Sequence, residues 1–265
     1  MSATKLDPIV ADVRRRAAER RSAMPLERLE QVVRTDPARR ERFVGALRAA
    51  RFGFIAELKR RSPSAGRLLD GTGRSWTDLA ECYRAGGASA LSVLTEQDHF
   101  DGALGDLELA RSTGLPRLRK DFVIDRGMLF ESAQAGADAV LLIAAILDDA
   151  ELALLRECAG ELGLAVLIEV HDERELERTL PLAPDLVGVN ARDLKTLTID
   201  LATVERLLPR VPQGMLRVAE SGIKTLADLE RVRAAGADCA LVGETLVRAA
   251  DPAAVLRGWR SGLHV

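Results

Sequence analysis

From about residue 50 onward the chain alternates short β-rich runs with longer amphipathic stretches, and there are eight such runs. They fall at 53–60 (less its last residue or two), 88–94, 116–122, 138–143, 164–170, 185–190, 215–221 and 239–243. Several, such as DAVLLI and LAVLIEV, are almost continuously apolar, as parallel strands buried on both faces require. The stretches between them, for example Ala150 to Leu162 and Thr225 to Ala235, are long enough for crossover helices. Eight strand–helix alternations within 265 residues predict an α/β fold, a closed (β/α)8 or TIM barrel forming one domain over 1–265.

An internal echo supports the count. RAGGASALSV, QAGADAVLLI and AAGADCALVG each end a helix with Ala-Gly and enter a strand. Gly86, Gly136 and Gly236 fit the left-handed position that closes a helix. No G-x-G-x-x-G follows the first run, which argues against a dinucleotide-binding sheet. Aromatic residues are only 3% of the chain, so the core is built from Ala, Leu, Val and Ile.

Composition narrows the function. A net charge of −2 gives no global reason to expect nucleic acid or an anionic membrane as partner. The first 51 residues are locally basic, with Lys5 and twelve Arg against seven acids, which reads as a solvated amphipathic helix pair. They contain too many acids for a transit peptide and lack the interleaved aromatics of a base-stacking surface. No apolar run approaches the roughly 20 residues of a membrane helix. Cys82, Cys158 and Cys239 are scattered, outside any CxxC motif and read as core residues, so neither a metal nor a disulfide is expected and a reducing cytoplasm is the expected setting. His99 reads as an exposed loop residue.

In such barrels the active site lies at the C-terminal strand ends. Glu57 and Lys59 are two apart at the end of the first run and share its inward face. Lys120 closes the third run, Glu169 the fifth, Asn190 the sixth and Glu220 the seventh. Burying so many ionised groups is costly without pairing, so their convergence points to chemistry. Runs seven and eight lead into Ser221-Gly222 and Gly243-Glu244, where glycines let backbone N–H groups approach a phosphate. Ser62 and Lys59 are placed to complete that ring of donors.

FIAELKRRSPSAG, LSVLTEQDHFDGALGDL, LRKDFVID, LIEVHDEREL, VGVNARDLKTLTIDL, VAESGIKTLADL and AGADCALVGETLVRA, in that order, resemble the indole-3-glycerol-phosphate synthase family. The likeness covers essentially everything after residue 50, and residues 1–50 resemble the helical extension that this family packs on its barrel. It implies a carboxy-lyase of tryptophan biosynthesis acting on 1-(2-carboxyphenylamino)-1-deoxyribulose 5-phosphate by ring closure, decarboxylation and dehydration, with no cofactor. It implies Lys120 as general acid and Glu169 as acid/base of the dehydration. Lys59 resembles the second lysine, which also reaches phosphate, and Glu57 the carboxylate that orients the lysines. Asn190 and Arg192 resemble the pair holding the anthranilate and sugar parts, with Glu220 and Ser221 completing the mouth. Phe100 and Phe122 match aromatic positions on the substrate ring, and Ser62, Gly222, Gly243 and Glu244 the phosphate contacts. The partner implied is the small phosphosugar-anthranilate substrate alone, with a monomer or weak homo-oligomer.

The chain departs from the family pattern at Ala65, where lysine is usual, at Ala191, where a second asparagine is usual, and at Leu197, where an aromatic is common. None of these touches the acid/base set. The phosphoribosylanthranilate isomerase alternative would need a cysteine/aspartate pair, and no cysteine ends the first run. A barrel that only binds phosphate would have no reason to keep Lys59, Lys120 and Glu169 together.

Overall fold

A computed structural model describes residues 6–63, 66–70, 72–194 and 196–265; Ala65 lies outside them. Eight strands form the barrel: β1 (Gly53–Leu58), β2 (Ala90–Leu94), β3 (Arg117–Lys120), β4 (Ala139–Ile143), β5 (Ala165–Val170), β6 (Leu186–Asn190), β7 (Leu216–Glu220) and β8 (Cys239–Val242). Every neighbouring pair is parallel, and β1 joins β8 to close the ring. Nearly every strand residue is buried, because side chains fill the interior on one face and meet the helices on the other.

Polar residues start the helices where the loops end. Ser75 with Asp78, Asp148 with Glu151, and Thr225 with Asp228 form reciprocal capping boxes. The two long amphipathic stretches are helices over Asp149–Glu161 and Leu226–Ala234. Gly136 (φ 82°) and Gly236 (φ 95°) are left-handed as expected. The third echo needs correcting: Gly86 is the last helical residue, and its neighbour Gly87 (φ 85°) makes the left-handed turn. Gly86 is glycine because a Cβ there would lie 2.9 Å from Leu256.

The basic N-terminal stretch differs from a solvated helix pair. It forms three helices, α1 (Asp7–Ala23), α2 (Leu26–Val32) and α3 (Ala38–Ala49), and its arginines dock on the barrel. Arg16 pairs with Asp98, and Arg20 and Arg21 with Glu131, in the loop after β2 and the helix after β3. Arg42 (2.8 Å to Asp138) and Arg40, paired with Asp185, hold α3 at the N-terminal ends of β4 and β6. Phe43, Val44 and Leu47 of α3 are buried there. The extension therefore runs from the rim of the mouth to the floor of the barrel. His99 also differs from its expected exposure: it is partly buried, with Nε2 3.1 Å from Asp12 of α1. Cys158 and Cys239 are core residues, whereas Cys82 is only half-buried. Among the described residues no helix is long and apolar enough to cross a membrane.

Candidate active site

Strand register brings the polar termini to one rim: Lys120 lies beside Leu94, Glu169 beside Ile143 and Glu220 beside Asn190. Lys59 folds back so that Nζ is 2.9 Å from Glu57 Oε1. Burial would raise the Glu57 carboxyl, but Lys59 and Lys120 outweigh it and hold it below the usual carboxylate range. Lys120 Nζ lies 3.1 Å from Glu169 and 3.8 Å from Glu220. Burial works against the charged form, but the charges of Glu169, Glu220 and Glu57 outweigh it and keep Lys120 an ammonium, above the ordinary lysine range.

The two glutamates differ. Burial works against ionised Glu169, yet Lys120 and His171 hold its carboxyl well below the usual range. Burial, followed by the charge of Glu169, pushes Glu220 well above its usual value, and Lys120 offsets only part of this. Glu220 fits because Gly188 is glycine: a Cβ there would sit 2.0 Å from Glu220 Oε1.

Two cavities meet along Glu57, Lys59, Arg192 and Ser221. The larger, about 430 Å³, has Gly222, Gly243, Glu244 and Lys224 on its far wall. Ser221 (φ 66°) and Gly222 (φ 78°) are consecutive left-handed residues, an uncommon conformation for a serine. At Gly243 a Cβ would stand 2.5 Å from Glu57 Oε1 and 3.0 Å from Lys59 Nζ, so glycine there leaves room for that pair. The smaller cavity, about 150 Å³, combines apolar Leu94, Phe100, Phe122, Ile143 and Leu194 with Lys120, Glu169 and Asn190. The Phe100 and Phe122 rings are 6.3 Å apart. Glu96 holds Phe100 in place by accepting the backbone N–H groups of Asp98, His99 and Phe100 at 2.8–3.1 Å. Asn190 Oδ1 accepts the Arg192 N–H at 2.9 Å, which sets Arg192 at the junction.

The mouth thus gathers Glu57, Lys59, Lys120, Glu169, Asn190, Arg192, Ser221, Phe100 and Phe122 around the two cavities. Glu220 lies behind Glu169 and lines neither. Ser62, the remaining residue expected near the phosphate, is buried in a short ribbon (Arg61–Ser62 with Gly66–Arg67) beside the mouth-lining end of β1 and is not among the residues that line either cavity. Residues missed by sequence reading include Arg119, which points outward from β3 and binds Asp121 (2.9 Å), Thr95 (3.1 Å) and Met128 O (2.9 Å). That knot fixes the chain just past Lys120. His171 was missed as well. Period two would have found it, since His171 stands to Glu169 as Lys59 does to Glu57.

Comparison with known proteins agrees with this geometry. Residues 6–258 match the indole-3-glycerol phosphate synthase family. The chain is 49% identical to the indole-3-glycerol phosphate synthase of Nocardioides sp. (strain ATCC BAA-499 / JS614) over 95% of this chain and 96% of that one. It is 47% identical to that of Parafrankia sp. (strain EAN1pec), over 93% and 91%. Among solved structures, orotidine 5'-phosphate decarboxylase from Pyrococcus horikoshii OT3 superimposes with a TM-score of 0.60 over 80% of this chain and 99% of that one. At 16% identity that likeness speaks to the fold alone. With the paired lysines and glutamates at the strand ends and this identity along nearly the whole length, the chain belongs to the indole-3-glycerol phosphate synthase family.

Proposed function

We propose that this mouth converts 1-(2-carboxyphenylamino)-1-deoxyribulose 5-phosphate to indole-3-glycerol phosphate, as a carboxy-lyase of tryptophan biosynthesis. The observation that carries the reading is Lys120, an ammonium flanked by Glu169 and Glu220 at the inner end of one cavity, with a second cavity continuing to Gly222 and Gly243. An elongated substrate with an aryl acid at one end and a phosphate at the other matches that pair of cavities. Its aryl ring lies against Phe100 and Phe122. Its phosphate lies by Lys59, Gly222, Gly243 and the Glu244 backbone, with Arg192 and Ser221 between the two.

The aryl carbon bearing the carboxylate attacks the ribulose carbonyl, and the oxygen that becomes negative receives a proton from Lys120. The bond to the carboxylate breaks and carbon dioxide leaves, returning its electron pair to the ring. Loss of water then needs an acid at the departing hydroxyl and a base at the adjacent position, which Lys120 and Glu169 supply. A carboxylate enters and neutral carbon dioxide departs, so each turnover takes up one proton. Glu57 holds Lys59 Nζ at 2.9 Å, at the junction that leads to the phosphate cavity. The enzyme needs only its small-molecule substrate and works in the cytoplasm, a setting supported by its scattered free cysteines and near-neutral charge.

The test is indole fluorescence developing from this substrate with wild type and with Lys120→Ala. Turnover by wild type and a loss of several orders of magnitude in the variant support the reading. Wild type that binds the compound without forming indole product overturns it.

A further inference from the structure

Beyond Glu169 the chain leaves β5 through His171, whose ring stands between two carboxylates. Nε2 lies 3.3 Å from Glu169 Oε1, within reach of a hydrogen bond though not aligned for one, and Nδ1 lies 3.0 Å from Glu175 Oε2. Glu175 is itself fixed, because the same oxygen accepts the His171 backbone N–H at 2.8 Å and Asp172 caps the Glu175 N–H at 2.8 Å. The His171 side chain is 11% exposed and lines neither cavity of the mouth. A neutral imidazole carries one N–H and serves only one of two carboxylates; the imidazolium serves both. Burial opposes that charge, but the contacts with the Glu169 and Glu175 carboxylates prevail and raise the ring to about 10.

Glu169 and Glu220 share one ammonium, that of Lys120, at 3.1 and 3.8 Å. Adjacent buried carboxylates do not both ionise readily, so the pair keeps a proton. The second cation touches only one of them. Glu220 Oε1, by contrast, is buried with no hydrogen-bond partner among the described residues. We infer that His171 is a positioning residue that assigns the negative charge to Glu169 and leaves the proton of the pair on Glu220. The inference rests on the reading of Glu169 as the base of the dehydration, since a base has to be ionised when its intermediate forms. The charged groups around the ring are Glu169 and Glu175 in contact, with Lys120, Glu220 and Glu57 behind Glu169. On the outer side Glu175 faces a separate cavity that also carries Asp172, Arg174 and Arg178.

His171→Gln keeps a donor of similar size and removes the charge. Its acid limb of kcat is expected to move up by about one to three pH units, the range that loss of a neighbouring opposite charge gives a carboxylate, while KM stays nearly constant. Glu175→Gln is expected to shift the same limb less. Histidine 15N spectra of the substrate-free enzyme read the ring directly, because the chain has 3 histidines and His171→Gln identifies the signal. Both ring nitrogens are expected to carry protons at about pH 8, well above the ordinary histidine range. A neutral His171 at that pH, or an unchanged acid limb in a His171→Gln enzyme with wild-type circular dichroism, overturns the inference. Absence of turnover in wild type would instead sink the reading of the reaction, and the spectra would still report the charge.

Discussion

The two halves of the mouth are built from different materials. The wall formed by β3, β5 and β7 consists of long charged side chains that hold one another at fixed protonation through Lys120, Glu169 and Glu220. The corner formed after β7 and β8 consists of backbone, with Ser221 and Gly222 forced left-handed and Gly243 kept bare. In the proposed reaction the charged wall would make and break bonds, and the corner would hold the phosphate, which does not react. Damage to the wall should therefore appear in kcat, and damage to the corner in KM.

The largest expected effect is Lys120→Ala, with kcat lowered by about three to four orders of magnitude, at the upper end for a general acid. A matching rise in KM instead would erase the distinction between the two halves. Glu169→Gln should cost about a hundredfold and separate the steps: labelled carbon dioxide should be released ahead of indole fluorescence. Simultaneous loss of both would place Glu169 earlier in the reaction. Gly243→Ala should raise KM, and the inhibition constant of inorganic phosphate, by on the order of tenfold, because its Cβ displaces the Glu57–Lys59 pair. A purely kcat effect would put the corner in the chemistry.

The pH dependence of stability sharpens the contrast. The raised His171 pKa contributes stability that is fully present below the unfolded value of about 6.5 and is lost as pH rises through about 10. Wild-type Tm should thus fall more steeply than that of His171→Gln between about pH 7 and 10. Parallel curves would show that His171 is not charged in the native state. Smallest of all, Arg42→Ala at the floor of the barrel removes a half-exposed ion pair. It should lower Tm by about 2–4 °C for a loss of about 1 kcal/mol, with kcat untouched.

The wall was legible in the sequence to different degrees: Glu169 stands out in Leu-Ala-Val-Leu-Ile-Glu-Val and Glu220 closes Leu-Arg-Val-Ala-Glu, whereas Lys120 ends the charged run Arg-Leu-Arg-Lys and is marked by its place at a strand end. The corner was legible only through its glycines. Nothing in the sequence announces the left-handed turn at Ser221. The eight strands were readable from short β-rich, often apolar runs alternating with amphipathic stretches. The destination of the N-terminal arginines was not, since their acids lie far along the chain in otherwise ordinary loops. Gly86 and Gly87 show a finer limit: composition marks the end of the helix, and packing against Leu256 decides which glycine turns.

The extension clasps both ends of the barrel, and this sets an order of events during synthesis. Arg16 waits 82 residues for Asp98, Arg21 waits 110 for Glu131, and Arg40 waits 145 for Asp185. At a translation rate of about 5–20 residues per second, the last of these partners is polymerised roughly 7–30 s after Arg40. The first helices made therefore wait for surfaces made later, though β1 waits longer still for β8, and the apolar stripe of Phe43, Val44 and Leu47 has no complete surface to cover it in the meantime.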